Sequence, residues 1–207
     1  MLTNKLAGPL LGLALLLGAA AAVRAQATDF PPETAQEYAS AFNAAAVDAF
    51  AKAKLIVDME VMQARGFTLR EDVGLLLIPD TKLTLPRLES GSEDLMPLGV
   101  LATLKMTLDI EEQRVTDERI YKIDIDGMEV WAFLLGVRSE EGGVRWLEFY
   151  GPNDKLVFRR RLERVQPVDD QLLLLNLEGY DANRGDGQLA ITIGGRREVK
   201  VPFAVVE

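Results

Sequence analysis

The chain has neither cysteine nor histidine. Without them, serine–histidine and cysteine–histidine catalysis are closed, as are zinc and transition-metal sites built on imidazole or thiolate. Serine occurs only at Ser40, Ser90, Ser92 and Ser139, and none begins Ser-x-x-Lys or sits in Gly-x-Ser-x-Gly. No glycine-rich phosphate loop is present. No Asn-x-Ser/Thr sequon is present either, and no run after the N-terminus is apolar and long enough to span a bilayer. The sequence therefore predicts no catalytic residues, no cofactor and no metal.

Positive charge is in deficit: 23 Lys and Arg against 32 Asp and Glu, a net charge of −9. A surface this acidic repels nucleic acid and anionic membrane.

The first 25 residues carry the layout of a secretory signal peptide: Lys5, an apolar stretch over 6–23, and Val23-Arg24-Ala25 at the cleavage point. The Gly8-Pro9 break and the alanine-rich end favour cleavage over retention as an anchor. Cleavage would remove Lys5 and Arg24, leaving 21 basic residues against 32 acids and a net charge of −11. Residues 26–207 are then expected to form one exported domain, periplasmic or secreted. A secreted chain without disulfides or sequons fits a bacterial envelope better than an animal ectodomain.

Residues 34–65 are expected to form an amphipathic helix, opened by a Thr34–Glu37 capping box. Its apolar stripe would run Tyr38, Phe42, Ala46, Ala49, Ala53, Val57, Val61, Ala64, with Gly66 as a left-handed stop. An alternative is that Leu55-Ile56-Val57 opens a strand.

Strands are expected from about 74 to 206. Residues 82–85 suggest a short strand and residues 87–98 a surface loop. Leu104, Met106, Leu108 and Ile110 alternate with polar residues, as a half-buried strand does. Asp126-Gly127 is a two-residue turn, which sets Tyr121 opposite Ala132, Ile123 opposite Val130 and Ile125 opposite Met128. The returning run from Val130 to Leu135 is apolar on both faces, so it should be a central strand covered on both sides, by the helix or by a second sheet. A symmetric turn at 140–141 would put Trp146 opposite Gly136. Near the C-terminus, a three-residue loop, Gly194-Gly195-Arg196, matches Ile191 with Val199 and Leu189 with Val201; a two-residue loop would face Ile191 with Glu198. Strands at this spacing predict a mainly β fold. It would be an antiparallel β-sandwich or small barrel of consecutive hairpins, with one N-terminal amphipathic helix packed against it.

Several stretches are candidate sites. Gly179–Leu189 offers calcium ligands at Asp181, Asn183 and Asp186, an Arg184-Gly185-Asp186 adhesion tripeptide, and a plain hairpin tip. Leu173, Leu175 and Leu177 can face Ile193, Ile191 and Leu189, which centres the loop on Asn183. Gly185 stands where a third calcium ligand belongs, so the turn reading is preferred. Arg159, Arg160, Arg161 and Arg164 form the basic cluster. Alternation sends Arg159 and Arg161 one way and Arg160 and Arg164 the other, the latter with Leu156 and Phe158, as on a charged edge strand. Trp131, Phe133, Trp146, Phe149 and Tyr150 fit core packing or an apolar cavity. The acidic doublets Glu93-Asp94, Glu111-Glu112, Asp117-Glu118 and Glu140-Glu141 are the only material for a carboxylate-pair glycosidase.

The expected function is that of an exported, non-catalytic envelope protein that binds another protein or polymer through its β-surface. The alternative is a carrier of a small apolar ligand or lipid in a β-cavity, and the third reading a glycan hydrolase. Homo-oligomers are permitted by exposed edges but not indicated.

Overall fold

The computed structural model describes residues 27–90, 94–110, 113–115, 117–167 and 172–206. The expected signal segment, residues 1–25, lies outside them, as do Glu93, Glu111 and Glu112.

In chain order the elements are β1 (Thr28–Asp29), α1 (Pro32–Phe50), β2 (Arg65–Arg70), β3 (Val73–Pro79), α2 (Leu85–Ser90) and β4 (Leu95–Leu104). Next come β5 (Met106–Ile110), β6 (Gln113–Arg114), β7 (Tyr121–Ile125), β8 (Met128–Ser139) and β9 (Arg145–Gly151). The last are β10 (Lys155–Arg161), β11 (Glu163–Arg164), β12 (Leu173–Asp181), β13 (Asp186–Ile193) and β14 (Arg197–Val205). They build two antiparallel sheets and no closed barrel. The 8-stranded sheet runs β1-β2-β3-β4-β8-β9-β10, with β7 beside the first half of β8. The 6-stranded sheet runs β12-β13-β14-β5-β6, with β11 on β14.

Three layers result. Phe133, Leu135, Leu147 and Phe149 from the large sheet meet Leu189, Ile191, Val201 and Phe203 from the small one. On the other side of the large sheet, Ala35, Ala39, Phe42 and Ala46 of α1 pack on Leu76, Val100, Ala132 and Leu134. This explains why β8 is apolar on both faces: each of its faces looks into a different core, one under the second sheet and one under the helix.

Three register expectations agree with the structure. Tyr121 faces Ala132, Ile123 faces Val130 and Ile125 faces Met128. Asp126 (φ 53°) and Gly127 (φ 82°) supply the left-handed pair that such a tight turn requires. Leu173 faces Ile193 and Leu177 faces Leu189. Ile191 faces Val199 across the three-residue loop, where Gly194 and Gly195 both take positive φ.

Other boundaries are corrected. The helix covers Pro32–Phe50, not residues 34–65, and no side chain caps it; Pro32 fills the first-turn position, where a missing N–H costs nothing. Its buried stripe is Ala35, Ala39, Phe42 and Ala46, while Tyr38 stays half exposed. The chain leaves the helix because tertiary bonds claim the following backbone. The Lys54 N–H donates to Asp154, and the Asp58 N–H donates to the buried Asp80 carboxylate. Leu55–Val57 is neither helix nor strand. Gly66 does not stop a helix but lies inside β2, paired with Leu76 of β3.

Residues 82–85 make no strand, and residues 87–98 are not all loop. Leu85–Ser90 is a short helix, and Leu95 begins a strand that tolerates Pro97 through a register shift before Gly99. Leu104 ends β4, and Lys105, at φ 50°, turns the chain from the large sheet into β5 of the small one. Trp146 faces Arg138, not Gly136. A further shift in β10, between Leu156 and Phe158, moves Leu156 to the side of Arg159 and Arg161, while Phe158 and Arg160 share a side as expected. Leu156, Arg159 and Arg161 share the outer face, and Phe158 and Arg160 the inner one.

Candidate anion-binding site

The inward rows of three strands run out of apolar residues at the same end of the sandwich. In β9 the row reads Phe149, Leu147, Arg145. In β14 it reads Phe203, Val201, Val199, Arg197. After β10 it reads Leu162, then Arg164. Each row is buried until its last member. Three guanidinium groups therefore stand where period-two alternation would place core residues.

Arg164 lies directly opposite Arg197, and Glu163 directly opposite Glu198. Like charges facing each other across an antiparallel pair are unfavourable, by about 0.2–1 kcal/mol. A slip of one residue would set Glu163 against Arg197, yet burial of Leu162 and Val199 on the same row fixes the register. Arg164 and Arg197 pair with no acid among the described residues, and Arg145 spends its donors on the backbone carbonyls of Leu88 and Glu89 at the end of α2. The Arg197 guanidinium is pushed below its ordinary value, first by loss of water around it and then by the charges of Arg145 and Arg164.

These residues surround an open cavity of about 470 Å³ between the sheets, closed on one side by Leu85 and Leu88 of α2. Its base is Val137, Leu162 and Ile193, and Glu89, the one acid of its lining among the described residues, sits 3.7 Å from Arg196. A second depression shares Arg145, Leu162, Arg164 and Arg197 with the first and adds Arg161. A third shares Arg161 and Glu163 with the second and adds Trp146, Arg159, Arg160 and Lys200. The three join into a basic trough that follows the chain as it crosses from β10 to β11.

The expected basic cluster is thus divided. Arg159 is engaged on the outer face: it bonds Glu140 at 2.9 Å and lies 4.3 Å from the Trp146 ring centre. Arg164 enters the sandwich mouth, and Arg160 and Arg161 line the trough between. The edge position expected for this strand is observed, since β10 ends the large sheet. Arg145 and Arg197, distant in sequence, were not among the expected site residues. Extending each apolar period by one step past the last buried residue would have found both.

Near the trough, Arg138 donates through Nε to both oxygens of Glu148, at 2.9 and 3.0 Å, and the Tyr150 hydroxyl donates to the same carboxylate. Burial, and then Glu148, push the Tyr150 hydroxyl above its ordinary value. Arg159 Nη1 lies 2.9 Å from Glu140 and 4.0 Å from Glu148. Its guanidinium thus fills the space between these two carboxylates where a glycosidic bond would have to sit. The Trp146 N–H, and then Arg159, hold the Glu140 carboxyl below the usual range, the wrong direction for a proton donor.

The remaining expected candidates resolve locally. Phe133 and Phe149 are buried between the sheets, and Phe149 stacks on Phe158 at 4.1 Å. Trp131 and Trp146 occupy opposite faces of the large sheet. At the hairpin tip, Asp181 accepts from the Asn183 and Arg184 N–H groups, and Arg184 bridges Asp181 and Asp186 at 3.1 Å each. Among the described residues no three acids gather as metal ligands. An apolar groove of about 290 Å³ lies outside the sandwich, between α1 and the large sheet, with Tyr38 and Met128 at its rim. No helix among the described residues is long and apolar enough to cross a membrane. No family model, no curated protein and no solved structure matches this chain.

Proposed function

We propose that the protein is an exported, non-catalytic envelope protein that holds a negatively charged partner, a protein segment or polymer, in the basic trough. The carrying observation is the Arg164–Arg197 opposition, without an acid partner among the described residues, in a chain whose net charge is −9. A sequence rich in acids could have neutralised this pair, and instead sets arginine against arginine beside an open cavity. An anionic ligand supplies the missing countercharge, through hydrogen bonds stronger than neutral ones. The test is calorimetric titration with polyglutamate at low and moderate salt. Binding that weakens with salt and is lost in an Arg164→Ala, Arg197→Ala double variant supports the reading. Equal binding by the variant, or none by the native protein, overturns it. Export is tested separately: the N-terminal residue of protein recovered from the producing cell is expected to be Gln26.

A second reading has its own observation. The groove beneath α1 is mainly apolar, with Thr68, Glu71, Asp72 and Thr103 as its polar residues, and would suit a small lipid, in place of the expected cavity inside a barrel. Native mass spectrometry showing a retained lipid, released by Phe42→Trp, would support it.

A further inference from the structure

We infer that the group received at the sandwich mouth is an amphiphilic anion, an aliphatic chain ending in a carboxylate or a phosphate. The inference rests on the anion-binding reading above and specifies its ligand.

The mouth is built differently from the rest of the trough. Along β10 and β14 the floor is charged, with Arg160, Arg161 and Lys200 set beside Glu163 and Glu198. At the mouth the base is aliphatic: Leu88, Val137, Leu162 and Ile193 are all less than a tenth exposed. Leu85, on the rim, remains 39% exposed despite its size. Arg164 and Arg197 stand above this base, on the same inward rows as Leu162 and Val199. A fully hydrated ion would leave the exposed Leu85 rim in water, and a neutral hydrocarbon would leave the guanidinium groups without a countercharge. A chain with an anionic end satisfies both parts at once. Its aliphatic part covers the exposed Leu85 rim, at about 25 cal/mol per Å² of apolar surface removed from water, and its head takes the donors that no carboxylate among the described residues takes. The volume of about 470 Å³ falls within the range of about 300–1,000 Å³ usual for small-molecule sites.

The class of ligand fixes the order of affinities. The probes are decanoate and decyl phosphate, compared by calorimetry with decanol, decyltrimethylammonium and inorganic phosphate. Either anionic amphiphile should bind at least ten times more tightly than decanol or phosphate, and the cation not at all. The Arg164→Ala, Arg197→Ala variant should lose at least tenfold for decanoate. Leu85→Asp, which places a carboxylate on the exposed rim, should lose a similar factor, while Arg184→Ala at the remote hairpin tip should lose nothing. Thermal unfolding of each variant without ligand establishes that it is folded. Decanol binding as tightly as decanoate would overturn the inference, and so would phosphate doing so. Polyglutamate separates the two proposals. If it binds and the amphiphiles do not, the polymer reading stands and this inference fails. If the amphiphiles bind and polyglutamate does not, the reverse holds. Displacement of decanoate by polyglutamate would show that a chain-borne anion and a free one compete for the same arginines.

Discussion

Arg164 faces Arg197 across the β11–β14 ladder, with no carboxylate of the described chain to separate their charges. Such an arrangement costs stability and is kept only where something else fixes the register, here the buried Leu162 and Val199. Arg164→Gln should therefore stabilise the free protein, by about 0.5 kcal/mol, because one of two opposed like charges is removed. Added salt should raise the melting temperature of the native protein more than that of the variant, since screening relieves only the protein that still carries the repulsion. Thermal melts at two salt concentrations check both points. A variant less stable than the native protein at low salt would mean that Arg164 has a stabilising partner.

Glu148 is 1% exposed, and its carboxylate holds Arg138 and the Tyr150 hydroxyl. Glu148→Ala should cost about 2–3 kcal/mol, because it leaves a guanidinium and a phenol without their charged acceptor. Tyr150→Phe should cost about 1 kcal/mol, since Arg138 still has both carboxylate oxygens. Denaturant unfolding measures both. An Arg138→Ala, Glu148→Ala double variant should be more stable than the sum of the single losses predicts.

Asp80 stands at the end of β3, 4% exposed, with Oδ2 accepting the Asp58 N–H and Oδ1 accepting the Lys82 N–H, each at 2.8 Å. It ties the irregular segment after α1 to the large sheet. Asp80→Ala should cost about 2 kcal/mol globally. The same change should also speed amide exchange locally, at residues 58–60, before the β4–β8 pair is affected. Uniform acceleration across the sheet would refute this local role.

Legibility in the sequence followed the range of the interactions. The Tyr121–Ala132 register, the Asn183-centred hairpin and the three-residue loop before Arg197 were readable because each rests on a local turn and on a period of two in adjacent strands. The double burial of β8 was readable for the same reason. The end of α1 was not: alanines carry the helical period on toward Ala64, and the bonds that divert the chain come from Asp154 and Asp80, distant in sequence. The split of Arg159 and Arg161 from Phe158 and Arg160 was readable from the period of two, but Leu156 was misplaced, because one inserted residue between Leu156 and Phe158 sets it on the opposite side from the one alternation gives. The mouth of the trough joins Arg145, Arg164 and Arg197 through two sheets. No local pattern brings those three together; only the end of each apolar row marks them.

The hairpin tip carries a pH dependence whose sign follows from its bonds. The Asn183 N–H, then the Arg184 N–H and guanidinium, hold the Asp181 carboxyl below its ordinary value. A carboxyl lowered in the folded state stabilises that state above its unfolded pKa, and the contribution is lost as pH falls through the folded value. Asp181→Ala should therefore melt below the native protein at pH 7, and the difference should shrink as the solution is acidified below the ordinary aspartate range. The group is exposed, so the effect is confined to the tip and weakens in salt. Calcium should not restore the variant, and should give no heat with the native protein, because Arg184 already bridges Asp181 and Asp186. A calcium-dependent rise in the native melting temperature that disappears in Asp181→Ala would return this loop to the list of binding sites.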